Sequence, residues 1–368
     1  MTHFNSQEFS RYTRHIQLGD IGVDGQRKLK SAHVLIVGCG GLGAPVSLYL
    51  AAAGVGQLTL VDGDHVELSN LQRQVIFTEA DIGLSKAICA QTRLKAMNSH
   101  IKVNTASERL TVDNAERLIQ VADLVIDCTD NFATRYLIND VCKAHSKSWI
   151  YASVYQFSGQ CALFTPEQSC FRCVFPKPPS NAPDCNSHGV LGVLPGLLGT
   201  LQAIEAIKYL TGIDSGMSNA LVLVEADTME MQKIQLRSDE NCPCCTKKLS
   251  FNPVPADYQP VCNTAKNENE NENEKYSLTA EEFHQHQHKK EVFLLDVRDK
   301  NEHDAFNLGG LHIPLKELEQ RKNELPSNKK IIIYCQSGIR SSTAAQFLRQ
   351  TNLDAMSVFG GIAEIISK

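Results

Sequence analysis

Cys170-Phe171-Arg172-Cys173 and Cys242-Pro243-Cys244-Cys245 set two C-x-x-C pairs about seventy residues apart. Four thiolates at about 2.3 Å from a metal suit a closed tetrahedral Zn2+ site with no position left for water, which makes the zinc structural. The spacing selects Cys170, Cys173, Cys242 and Cys245 and leaves Cys244 spare. A redox pair would need only one such motif, opening directly onto a helix. Cys39, Cys89, Cys128, Cys142 and Cys161 lie in apolar or helical surroundings, where packing is the expected role.

A second constellation is built for phosphate. Gly38-Cys39-Gly40-Gly41-Leu42-Gly43 follows an apolar run, opens a helical pattern and is succeeded by Asp62 at the end of the next run. Missing Cβ atoms let backbone approach a phosphate, the helix start supplies N–H donors, and the carboxylate accepts from ribose hydroxyls. This turn alone does not separate NAD from ATP. The amide-rich loop Ser69-Asn70-Leu71-Gln72-Arg73-Gln74, with Lys86 after it, tips the balance: hydride transfer needs an apolar slot, whereas phosphate chemistry needs cations. Asp127-Cys128-Thr129-Asp130-Asn131 brings carboxylates to the same edge, and Asp130 is the better placed to hold Mg2+.

A third is Tyr334-Cys335-Gln336-Ser337-Gly338-Ile339-Arg340-Ser341. A turn between strand and helix aims backbone N–H groups at Cys335 and stabilises its thiolate. Cysteine phosphatases place five residues between Cys and Arg, but here only four separate Cys335 from Arg340. The smaller ring suits a single sulfur atom. His284, His286 and His288 have no fourth ligand nearby and read as a solvated polar face.

The elements that must carry these groups are legible from apolar runs. Residues 34–37, 44–53 and 58–61 read as strand, helix and strand, and residues 124–126 and 149–152 as further parallel strands. In the C-terminal part, 292–297 and 331–334 read as strands and 342–349 as a helix. Between the parts, the Asn/Glu tract 267–274 has nothing to bury and repels itself. The division expected is therefore 1–249, a flexible linker at 250–275, and 276–368. Both parts are α/β: a Rossmann-like, mostly parallel sheet carrying the structural zinc, and a smaller α/β domain.

Composition bounds the function. Hydrophobic residues at 42% and charged residues at 21% indicate a globular chain, and a net charge of -5 offers no broad basic surface. Nucleic-acid and membrane partners are disfavoured. Residues 1–14 lack the apolar core of a signal peptide, so the expected location is cytoplasmic. The uncharged stretches 31–61 and 185–204 are interrupted by Pro and Gly and read as buried segments of a soluble fold.

Arg11-Tyr12 through Arg14, the glycine turn with Leu42-Gly43-Ala44-Pro45, the loop from Ser69 to Gln74 and the strand end from Asp127 to Asn131 together resemble the MoeB/ThiF family. These relatives of ubiquitin-activating enzymes adenylate the C-terminal Gly-Gly of ubiquitin-like sulfur-carrier proteins. The resemblance spans residues 6–249. It implies that Gly41, Asp62, Asn70, Arg73, Lys86 and Asp130 surround ATP, and that Arg14 reaches into the partner subunit's site, which requires a homodimer. Gly38, Gly40, Gly43 and Asn131 complete the expected nucleotide set. Cys185, in Pro183-Asp184-Cys185-Asn186, resembles the family's crossover-loop cysteine, for which covalent participation and a bystander role both stay open.

The C-terminal part resembles a rhodanese domain, with Leu295-Asp296-Val297-Arg298 and His312-Ile313-Pro314-Leu315 as landmarks and Cys335 and Arg340 as its catalytic pair. Gln336 stands where Arg is frequent, so thiosulfate is expected to be a poor donor. The combined reading is an adenylyltransferase and sulfurtransferase: an acyl-adenylate forms at one centre, and a persulfide on Cys335, charged by a donor such as a cysteine desulfurase, converts it to a thiocarboxylate. A tether of about 26 residues spans roughly 25 to 31 Å, enough to bring the two together. Molybdopterin, thiamin thiazole and tRNA thiolation are the destinations the family implies. A non-catalytic carrier-binding platform attached to a rhodanese is the alternative, and a nicotinamide oxidoreductase is a third.

Overall fold

The computed structural model describes residues 4–177, 189–246, 258 and 276–367. Cys185 and nearly all of the expected linker lie outside the described residues. The chain divides into two compact units, Met1–Asn263 and Thr264–Lys368.

In the first unit, β1 (His33–Val37), β2 (Gln57–Val61), β3 (Lys102–Ala106), β4 (Leu124–Asp127), β5 (Ser148–Tyr155), β6 (Ser158–Phe164), β7 (Ala220–Glu225) and β8 (Glu230–Gln235) form one sheet. Their order is β3-β2-β1-β4-β5-β6-β7-β8. The first five in this order run parallel, and β5 to β8 alternate in direction. Because β1 has β2 on one side and β4 on the other, its carboxyl end faces the crevice where such sheets bind ligands. Strand β1 is apolar on both faces. Val34 and Ile36 enter one core with Leu58 and Leu60, while Leu35 and Val37 enter the other with Val61 and Val125.

Helices cover both faces. Gly43–Ala53, Lys86–Met97 and Val193–Thr211 pack on the first core through residues such as Leu50, Leu94 and Leu198, and Val112–Ile119 and Phe132–Ala144 cover the second. The N-terminal helix Ser6–Ile16 begins in a capping box between Asn5 and Glu8. It is docked by Tyr12, whose hydroxyl accepts from Asn98 Nδ2 at 2.9 Å; the same Nδ2 reaches the Ala51 carbonyl at 2.7 Å. Gly54 has φ +81, and a Cβ there would lie 2.4 Å from the Tyr12 ring. No helix among the described residues is long and apolar enough to cross a membrane.

In the second unit, β9 (Ser277–Leu278), β10 (Val292–Asp296), β11 (Leu311–His312), β12 (Lys330–Tyr334) and β13 (Ala355–Val358) form a parallel sheet in the order β11-β10-β12-β13-β9. Central β12 buries Ile331 and Ile333 on one face and Ile332 and Tyr334 on the other.

The mostly parallel α/β architecture agrees with the sequence reading. The runs expected as strands become β1, β2, β4, β5, β10 and β12, and the helix expected at 342–349 starts earlier, as Ile339–Gln350. The antiparallel extension β6 to β8 was not anticipated. Every residue of β8 is exposed, so its sequence shows no burial period to read.

Candidate nucleotide, thiol and metal sites

Gly38 follows β1 with φ +95, and a Cβ there would lie 2.6 Å from the carbonyl oxygen of Cys128, which follows β4. Gly43 is equally constrained, its added Cβ falling 2.0 Å from the Gly38 carbonyl oxygen. No side chain caps the helix Gly43–Ala53, and its first turn carries no acidic residue, which leaves its positive end for an anion. Gly41 lies against Pro195 and near Arg73, and Gly40 lies near Gln74. The turn, the amide loop and the start of the helix Val193–Thr211 thus meet.

Asp62 closes the other side of the turn. Its Oδ2 accepts from the Cys39 N–H at 2.7 Å and its Oδ1 from the Asp64 N–H at 2.8 Å. Burial pushes this carboxyl above its ordinary value, against the pull of those two N–H groups and of Lys86. Lys86 is itself buried, with Nζ 3.6 Å from Asp64 Oδ2. Arg73 donates through Nη1 to the Ser69 carbonyl at 3.1 Å. Buried Asn70 Oδ1 and Gln74 Oε1 have no hydrogen-bond partner among the described residues. Two orphaned acceptors beside two cations, a free helix start and a glycine turn fit a polyphosphate nucleotide with its hydroxyl donors.

At the end of β4, burial separates two carboxylates close together in sequence. Asp127 is fully buried, accepts from the Thr129 N–H and hydroxyl, and pairs with Arg135 at 3.4 Å. Burial lifts it to about 6, with Arg135 opposing. Asp130 is exposed, and it is the carboxylate of the two with room to meet a cation. Asn131 caps the helix Phe132–Ala144 by accepting from the Thr134 N–H at 2.9 Å. Arg14 is exposed on the N-terminal helix, away from the turned-in Tyr12.

Cys170, Cys173, Cys242 and Cys245 converge, with their four sulfur atoms within 4.8 Å of one another. The Cys170–Cys242 and Cys173–Cys245 separations are both 3.5 Å, and Cys170–Cys173 is 3.8 Å. A tetrahedron of 2.3 Å metal–sulfur bonds has edges of about 3.8 Å, so the donor set fits a dication. Burial, with repulsion from Cys170, pushes the Cys242 thiol up, and burial takes Cys245 to about 11, whereas hydrogen bonds from backbone N–H groups and neighbouring thiols outweigh burial and hold Cys173 below its ordinary value. Cys244 stands outside the set: its sulfur donates to Asp140 Oδ1 at 3.1 Å, and Asp140 is held by Arg172 at 2.6 Å. No other group of three or more potential ligands is found among the described residues. His284 and His286 bond to the carbonyls of Ile365 and Glu282.

Cys335, fully buried, follows β12 directly. Its Sγ accepts from the N–H groups of Gly338 at 3.2 Å and Ser341 at 3.3 Å, with Ser341 Oγ at 3.5 Å. Gly338 takes φ +88 as it leads into the helix Ile339–Gln350. A second helix, Gly361–Ser367, closes the loop through the Ile362 N–H on the Cys335 carbonyl at 2.8 Å. Such a ring of donors suits one sulfur bearing negative charge. Arg340 does not point its donors at that sulfur. It forms two 2.7 Å bonds to Glu302, a partner the sequence reading missed. The signal for Glu302 was the Asp299-x-x-Glu302 capping box that starts the helix Lys300–Ala305. Arg135 was also missed, and Gln74, named within the amide-rich loop, had been given no role of its own.

Comparison with known proteins agrees with both halves. Residues 12–244 match the ThiF family and residues 279–368 the rhodanese-like domain. The "Probable adenylyltransferase/sulfurtransferase MoeZ" of Mycobacterium tuberculosis is 36% identical over 368 residues, covering 97% of this chain and 92% of that protein. The "Sulfur carrier protein adenylyltransferase" of Thermus thermophilus is 42% identical over 70% of this chain and 98% of its own length. Among solved structures, E. coli MccB with ATP superposes with a TM-score of 0.57 at 27% identity, over 66% of this chain and 75% of that one. The chain belongs to the ThiF family and carries a rhodanese-like domain fused behind it.

Proposed function

We propose that the chain is an ATP-dependent adenylyltransferase and sulfurtransferase acting on the C-terminal Gly-Gly carboxylate of a ubiquitin-like sulfur-carrier protein. The carboxylate oxygen attacks the α-phosphorus of ATP, the bond to the bridging oxygen breaks, and pyrophosphate leaves. No general base is needed, because the nucleophile is already an anion. The residues act by holding charge: the glycine turn of Gly38, Gly40, Gly41 and Gly43 and the helix behind it receive phosphate, Arg73 and Lys86 neutralise the leaving pyrophosphate, and Asp62 and Asn70 meet the ribose. Asp130 would hold Mg2+, which when bound polarises phosphate oxygens. Arg14 serves the site of a second copy in a homodimer.

Sulfur follows from the second unit. Cys335 attacks the sulfane sulfur of a persulfide donor, the donor thiolate leaves, and Cys335 carries S–S⁻. That terminal sulfur attacks the acyl carbon and expels AMP. A second thiol, for which Cys185 is the candidate, then attacks Cys335 Sγ: the S–S bond to the acyl sulfur breaks, the thiocarboxylate leaves, and the disulfide formed with Cys335 is reduced by an external thiol before the next turnover. The zinc cluster has no open position and takes no part in these steps. All eleven cysteines among the described residues are free, which suits a reducing cytoplasm.

The observation that carries this reading is the presence, on one chain, of a polyphosphate cradle with orphaned acceptors and of a thiol ringed by N–H donors. Incubation of candidate carriers with ATP, Mg2+ and a sulfur source, read by intact mass, tests it. A gain of about 16 mass units marks oxygen replaced by sulfur. Absence of pyrophosphate exchange with every Gly-Gly carrier would instead favour a carrier-binding platform.

A further inference from the structure

The charges around the Cys335 loop cancel one another. Arg340 is committed to Glu302 in two 2.7 Å bonds and lies 3.7 Å from Asp299. Lys316 reaches Asp299 at 3.4 Å, and Arg298 pairs with Asp296 at 2.7 Å while also donating to the Phe306 carbonyl. The three carboxylates Asp296, Asp299 and Glu302 therefore face the three cations Arg298, Lys316 and Arg340. The outward side chains of the loop, Gln336, Ser337 and Ile339, carry no charge. The ring around the sulfur stabilises one negative charge with N–H groups, but these three cations of the described residues are all paired and none is left over for a second.

We propose that Glu302 is the specificity-determining residue for the sulfur donor: by holding Arg340 in a bidentate pair, it withholds the guanidinium from the mouth of the Cys335 site and excludes dianionic donors. This rests on the sulfur-transfer reading of Cys335. Both donor classes react by the same balanced step, in which Cys335 Sγ bonds to the sulfane sulfur and the bond to the leaving group breaks. Thiosulfate leaves as sulfite, a dianion that needs a cation in the site, whereas an alkyl persulfide leaves as a singly charged thiolate. Glu302 is well suited to this task because it is fixed at both ends. Its other role is to accept from the Asp299 N–H at 3.0 Å and cap its own helix. The clamp is also accessible, with a quarter of the Arg340 side chain and about a third of the Glu302 side chain exposed.

The test compares two donors on the full-length chain, thiosulfate and 2-hydroxyethyl persulfide, whose leaving thiolate carries a single charge and no carboxylate, by sulfur transfer to cyanide and by persulfide mass on Cys335. Glu302→Gln keeps the cap but loosens the clamp. It should lower the thiosulfate KM roughly tenfold, leave the persulfide KM within about twofold, and make the thiosulfate KM strongly dependent on salt. Equal changes with both donors would overturn the proposal, because they would mean that Glu302 only braces the loop. Gln336→Arg leaves the clamp intact and adds a free cation at the mouth, and it should also favour thiosulfate; an unchanged donor ratio in a folded Gln336→Arg protein overturns the proposal even if Glu302→Gln does not fold. Turnover persisting in Cys335→Ser would instead sink the underlying reading of the thiol.

Discussion

Gly38 and Cys128 stand where two parallel strands end side by side, and the Cys128 N–H bonds to the Val37 carbonyl at 2.8 Å while its own carbonyl lies where a Gly38 Cβ would go. The glycine turn is therefore shaped by β4 as much as by β1. A Gly38→Ala change forces a side chain into a left-handed backbone and into a carbonyl 2.6 Å away. The expected loss is about 1–3 kcal/mol of stability, with pyrophosphate exchange falling at least roughly 100-fold. Denaturant unfolding and exchange assays measure the two effects, and wild-type exchange in a folded variant would remove the turn from the site.

Cys335→Ala should abolish the gain of about 16 mass units on the carrier and leave ATP–pyrophosphate exchange at the wild-type rate. The N–H groups that ring the thiol come from backbone, so the fold does not need the sulfur. Loss of exchange in this variant would mean that the two chemistries are not divided as proposed.

Metal analysis of the purified protein should give about one zinc per chain. Cys242→Ser should lose the metal and the local order around it, whereas Cys244→Ser should keep it, because the Cys244 thiol donates to Asp140 and is not one of the four sulfur atoms that converge. A protein free of metal, with all four thiols open to alkylation, contradicts the assignment.

Two buried carboxylates, Asp127 in the first unit and Asp296 in the second, should respond to acid in opposite directions. Burial raises Asp127 from 3.8 to about 6, so the folded first unit binds this proton more tightly than the unfolded chain does. Its contribution to stability is fully present below about pH 4 and is lost as pH rises toward about 6 and beyond. In the second unit Asp296 is held below its ordinary value, its bonds from Arg298 and His303 outweighing burial. That contribution is present above about pH 4 and is lost as pH falls through the lowered value. Thermal melts of Asp127→Asn between about pH 4 and 6 should show a flatter profile than wild type; an identical slope would show that Asp127 does not titrate there.

Much of this was legible from sequence because the signals are local. The glycine turn, the paired C-x-x-C motifs and the Cys335 loop each compress their chemistry into a few neighbouring residues, and β1 and β12 announce themselves by apolar runs that parallel burial requires. Spare Cys244 was readable from spacing alone. What escaped depends on distant partners. Asp127 and Asp130 look alike in sequence, and only the approach of Arg135 and Thr129 makes one a buried brace. Arg340 was read as the partner of Cys335 because Glu302, which holds it, lies 38 residues away. The exposed strand β8 escaped because no core face imposes a period on it.

The pinning of Tyr12 between Asn98 and Gly54 reaches beyond packing. Two positions further along the same helix, Arg14 is turned by roughly 200° and faces outward from a rigid mount. A long cationic side chain on such a mount has its base already oriented before any encounter. In the homodimer proposed above, its approach to a neighbouring phosphate would sacrifice little backbone freedom, because an aromatic ring on the opposite side of the helix presets the mount.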